Sequence, residues 1–175
     1  MDIYLFLLIV HLVGTILGVG GATMIEVQLN KALKNNDVSL DERALLGTDY
    51  KMVRVGLVLA IFSGFGFLLI YKFTGHTERL YDPMMWAKFT MIIVIAVNAV
   101  LLQARKISLY WGAALSFTSW WTVAIVSVLK SNGVHIDFFE LSSFLSIYTS
   151  TVGFYLILIV MSAFALDIIR KHLNT

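Results

Sequence analysis

The sequence has no cysteine, a single proline and few charges. Without cysteine there are no disulfides, no thiolate metal sites, no cysteine-ligated iron–sulfur clusters and no cysteine nucleophiles. One proline leaves few and short irregular segments. Charged residues make up 14% of the chain, where a soluble domain carries about a quarter. The net charge is only +2, and the charges gather in loops rather than in a basic stripe, which argues against a nucleic-acid partner. Walker A, Rossmann, HExxH and GxSxG patterns are all missing, so ATP-driven transport and hydrolase chemistry are disfavoured. The first apolar stretch lacks a basic leading region and a small-residue cleavage site, and at residues 3–29 it is too long for a signal-peptide core. No cleavable leader is expected.

What the chain does have is apolar surface. Fifty-nine per cent of its residues are hydrophobic, more than a core can hide, and lipid is the solvent that tolerates the excess. A helix needs about 20 mostly apolar residues to cross the hydrocarbon core. Five segments meet that requirement, at residues 3–29, 53–73, 84–103, 107–129 and 141–169. They are continuous rather than alternating, so they read as helices and not as barrel strands. The expected fold is an all-α integral membrane bundle of about five transmembrane helices, one domain over residues 1–175. Pro83 stands where a helix N-terminus favours it. The main polar stretch, residues 30–52, contains Ser39-Leu40-Asp41-Glu42, a capping-box pattern that predicts a short interfacial helix from Asp41.

Basic residues set the orientation. The loops after the first and third spans and the C-terminal tail hold Lys31, Lys34, Arg43, Lys51, Arg54, Arg105, Lys106, Arg170 and Lys171, which is nine. The opposite side holds Lys72, Arg79 and Lys130, which is three. The bias predicts an N-terminus outside, a C-terminus in the cytoplasm and residence in the inner (plasma) membrane as a multi-pass protein.

Polar residues inside a membrane are costly and each calls for a reason. His11 is the one intramembrane histidine, about 12 Å from the outer end of its span at 1.5 Å per residue. Gly14, Thr15, Gly18, Gly21 and Ala22 follow at spacings of three and four, a small-residue face open to another helix, a second copy or a flat ligand. Lys88 opens the third span beside Trp86. The topology puts it in the same leaflet as His11, which makes a joint site of the only two intramembrane bases. Neutral imidazole is a common metal and haem-iron ligand. A lysine could be a second ligand once deprotonated, or could pair with a porphyrin propionate, though by itself it also reads as a side chain snorkelling to the headgroups.

Other signals point to structure. Glu26 and Arg54 read as an interfacial pair, and Asn98 as a helix-to-helix tie. Ser116, Thr118, Ser119, Trp120 and Trp121 in span four, and Tyr148, Thr149, Ser150 and Thr151 in span five, read as cavity-lining or as hydrogen-bonded within their own helices. Met84, Met85, His76 and His135 are outer-side candidates for metal capture against a plainer reading as gap-fillers and solvated loop residues. His172 reads as a solvated tail residue.

The order of these features is similar to that of a known family. His11 is followed by Leu12-Val13-Gly14-Thr15-Ile16-Leu17-Gly18-Val19-Gly20-Gly21, an apolar glycine-bearing second span runs from Gly56 to Ile70, and Trp86-Ala87-Lys88 opens the third. This resembles the HemJ-type protoporphyrinogen oxidases and the related copper-resistance-protein-D-like membrane domains. The resemblance spans roughly residues 1–130. It departs in having Asn98 where the HemJ-type group usually has a further histidine, and in the polar run of the fifth span. It implies b-type haem with His11 as iron ligand, Lys88 as functional partner, and oxidation of a porphyrinogen. Gly14 and Gly18 of the small-residue face are then expected beside the cofactor. The expected function is a haem-b-binding membrane redox protein, with lipid, a homodimeric copy and a porphyrin or quinone-like molecule as partners. The alternative is a cofactor-free transporter or permeation subunit, or an assembly subunit of a larger membrane complex.

Overall fold

The computed structural model describes residues 2–35 and 40–173, with backbone alone at 33–35 and 170–173. It is all-helical among these residues: α1 (Ile3–Asn35), α2 (Leu40–Phe73), α3 (Pro83–Gln103), α4 (Leu109–Ser131) and α5 (Phe144–Leu173), with a short 3-10 turn at Thr77–Tyr81. All five α-helices are long and apolar enough to cross a membrane, and large aliphatic and aromatic side chains cover the outside of the bundle. The chain is a multi-pass membrane protein. Successive helices alternate in direction. The first end carries the α2–α3 and α4–α5 links, and the second end carries the α3–α4 link and the α1–α2 connection.

Two expectations change. The interfacial helix predicted from Asp41 is not separate: Leu40–Phe73 is one continuous helix. At about 51 Å by its rise it exceeds the hydrocarbon thickness of about 30 Å. The polar segment is therefore the part of α2 that projects, paired with a projecting α1 through Lys31 and Glu42 (3.6 Å) and through Gln28 and Asp49 (2.6 Å). Ser39 of the capping-box pattern lies outside the described residues. The second correction concerns the glycine face of α1. A Cβ on Gly14 would stand 2.9 Å from the Ala60 amide nitrogen and the Gly56 carbonyl oxygen, and one on Gly56 would stand 2.6 Å from the Gly18 nitrogen. Gly14-x3-Gly18 is thus matched against Gly56-x3-Ala60, which brings two backbones together as small residues allow in membranes. The face is consumed inside the chain and is left open neither to a second copy nor to a flat ligand.

Around the α1–α2 hairpin, α4 lies against α1, α3 and α5 both pack on α4 and on each other, and α2 and α3 touch little. One apolar cluster joins α1, α2, α3 and α4 through Ile25, Leu57, Ile95 and Trp120; another joins α3, α4 and α5 through Met84, Met91, Val126 and Tyr155. Asp82 caps α3 by accepting the Met85 N–H at 2.8 Å, with Pro83 next in line, and Ser108 caps α4.

The hydroxyls of spans four and five stitch helices together. Ser119 donates to the Leu115 carbonyl (2.6 Å), so its oxygen accepts from the buried Tyr155 hydroxyl at 2.7 Å. Thr118 meets Ser162 at 2.6 Å, and Tyr148 meets Thr90 of α3 at 2.9 Å. Such bonds are worth about 0.6 kcal/mol on average in a membrane bundle. Tyr155→Phe is therefore expected to cost about 1 kcal/mol in reversible unfolding from mixed micelles. A loss several times larger would mean the hydroxyl does more than bridge α4 to α5.

Candidate functional site

Register brings the two intramembrane bases to one level. α1 and α4 run antiparallel, with Gly18 against the Trp120 ring. Seven residues from each toward the first end (18 − 11 and 127 − 120) stand His11 and Ser127. The Lys88 ammonium of α3 donates to Ser127 Oγ at 3.4 Å. Its charge is felt at His11. His11 in turn reaches α2, with Nδ1 2.8 Å from Ser63 Oγ. The half-buried imidazole therefore faces α2, and α2 and α3 themselves touch little.

The bond to Ser63 favours one tautomer. A serine hydroxyl has one proton. Ser63 directs its proton to its own helix, 2.6 Å from the Leu59 carbonyl. With that proton so placed its oxygen accepts from His11, which puts the imidazole proton on Nδ1. Nε2 is left with its lone pair. Orientation of one ring nitrogen by a partner while the other stays available is how ligating and proton-accepting histidines are prepared. Phe67 closes one side of the ring edge-on at 5.8 Å.

Toward the first end the same layer is roofed by an ion pair, Lys130 Nζ to Asp82 Oδ2 at 3.0 Å, with side chains 30% and 22% exposed. Burial pushes the Asp82 carboxyl up, but the Lys130 hydrogen bond, the Met85 N–H and the charges of Lys130 and Lys88 outweigh it and hold it below the ordinary carboxylate value. A depressed acid contributes stability above its unfolded pKa, about 3.9 for aspartate, and that contribution is lost as pH falls through the lower folded value. Asp82→Ala is expected to cost about 1–2 kcal/mol, from the lost cap and the stranded Lys130. The wild-type melting temperature should fall below about pH 4, while Asp82→Asn should flatten that acid limb. An unchanged acid limb in the asparagine variant would remove Asp82 as its source.

The remaining candidates fall in place as structure. Met84 is fully buried in the α3–α4–α5 cluster, which suits gap-filling. His76 pairs with Glu78 at 3.4 Å, and His135 lies exposed in the α4–α5 link. No group of three metal-ligating residues occurs among the described residues. Trp120 is buried on Gly18, and Trp121 ties α4 to α1 by donating to Thr23 at 3.0 Å. Asn98 donates from Nδ2 to the Gly112 carbonyl at 2.8 Å, a tie between α3 and α4. Glu26 is buried and Arg54 exposed. Ser63 is the site residue that motif reading does not single out. Its signal is register: once Gly14 faces Ala60, His11 must face Ser63. Protein-family models, curated proteins and solved structures give no match to this chain.

Proposed function

We propose that the chain is a haem-b-binding redox protein of the plasma membrane, with its first end outward and His11 as the residue that would ligate the iron. The observation that carries the proposal is the 2.8 Å bond between His11 Nδ1 and Ser63 Oγ of α2: with the Ser63 hydroxyl donating to the Leu59 carbonyl, Nδ1 carries the proton and Nε2 is left ready to ligate in the same layer as Lys88. The donor set suits the group: a neutral imidazole with a fixed outer partner, and a single amine at the same depth. Lys88 would serve as a second ligand when deprotonated, or as the charge that receives a porphyrin carboxylate. Gly14 and Gly18, covered by α2 and Trp120, take no part in holding it. Bound haem supplies one-electron chemistry, and the protein tunes it by ligand identity, hydrogen bonding and exclusion of water. The likeness to HemJ-type proteins supports a porphyrinogen as electron donor. The excess of basic residues on the second end supports the orientation.

The test is a visible spectrum of the full chain purified in mild detergent from haem-replete cells, before and after dithionite. A Soret band with α and β bands that sharpen on reduction is the expected result. A colourless protein would overturn the reading.

A further inference from the structure

A second polar site lies nearer the opposite end, between α2, α3 and α4, in a cavity of about 150 Å³ that the His11 layer does not use. Val53, Ile95 and Leu102 give it apolar walls, and Tyr50, Arg54, Asn98, Gln103 and Ser116 give it polar ones. Asn98 is 3% exposed. Its amide cannot swap ends, because Nδ2 is committed to the Gly112 carbonyl at 2.8 Å. Oδ1 is thus a fixed acceptor, and it is buried without a partner, as is the Tyr50 hydroxyl. Buried polar groups in folded proteins are nearly always hydrogen-bonded, so an orphaned acceptor on a cavity wall points to something that donates to it. Arg54 lines the same cavity from an exposed position and offers only donors. The polarity is therefore ordered, with an acceptor at depth and a cation at the rim.

We infer that this cavity is a binding site for a small zwitterion of the amino-acid class. Its ammonium would donate to Asn98 Oδ1 and its carboxylate would face Arg54, with the Tyr50 hydroxyl between them. The volume suits a small ligand: a cavity of about 150 Å³ matches a molecule of benzene's bulk, which accommodates glycine or alanine. The site is independent of the haem reading, since no residue is shared.

The absence of cysteine makes the test direct. Ser116→Cys and Ala99→Cys place a thiol on the cavity wall in the otherwise complete chain. Ser119→Cys, on the same helix but facing Tyr155 of α5, is the buried control. In detergent, the first two should react with iodoacetamide and the third should not. Glycine at about ten times its dissociation constant should slow the labelling about tenfold by mass action. Methylammonium and acetate, each carrying half of the recognition, should protect far less at the same concentration. Tyr50→Phe, which deletes one hydroxyl and little volume, should weaken protection by glycine without changing the labelling rate of the empty site. If neither cavity thiol reacts, the cavity is closed and the inference falls. If both react and glycine protects no better than its fragments, the cavity holds water only, and the inference falls equally.

Discussion

Gly18→Ala is expected to lower the stability of the bundle by about 2–3 kcal/mol, the scale of forced overpacking in a tight core. An added Cβ would stand 2.3–2.5 Å from three carbons of the Trp120 ring, well inside any carbon contact. The ring is buried between α1 and α4 and cannot swing aside without opening the α1–α4 seam. The partner of the clash identifies its cure. Trp120→Leu removes the ring, loses packing on its own, and makes room for the alanine. The two changes together should therefore cost less than the sum of the separate losses, a coupling of more than about 1 kcal/mol between residues in contact. Gly56→Ala is the contrasting case. Its Cβ would meet backbone atoms of Gly18 and Gly14 at 2.6 and 2.7 Å, so trimming Trp120 should not rescue it. Unfolding in mixed micelles reads all three. Additive losses for Gly18 and Trp120 would contradict the packing described.

These glycines also show where sequence reading reaches its limit. A small-residue face in an apolar span says that something approaches closely. It does not say whether that partner is a neighbouring helix, a second copy or a planar ligand, because all three satisfy the same spacing. The five spans were legible because lipid imposes length and continuity on each one independently. The start of α3 was legible too, since Pro83 is a local signal. The α2 boundary was not, because a polar stretch with a capping pattern looks alike whether a helix begins there or merely leaves the membrane. His11 and Lys88 could be placed in one layer from topology alone, since depth follows from counting residues. Ser63 could not, because it becomes a neighbour of His11 only through the register that Gly14, Gly56 and Ala60 impose. The orphaned oxygen of Asn98 lay further out of reach, since it depends on which way an amide turns inside three packed helices.

The same register sets the second large effect. On the haem reading, His11→Ala should abolish the Soret band of the purified protein while leaving it folded, since the half-buried imidazole meets α2 mainly through one hydrogen bond and one ring edge. Ser63→Ala should act more gently. It frees the ring to change tautomer without deleting the ligand, and loss of such an outer partner weakens metal affinity by about 10–100-fold. Haem should then be retained at high supply and lost first on dilution or competition. Lys88 separates its own two roles. If its amine ligates the iron, Lys88→Arg cannot replace it, because guanidinium carries no free lone pair, and the spectrum should change as much as in Lys88→Ala. If its charge receives a carboxylate, arginine should keep the spectrum and alanine should weaken retention. A His11→Ala protein that keeps full haem and an unaltered spectrum would remove His11 from the iron and the proposed function with it.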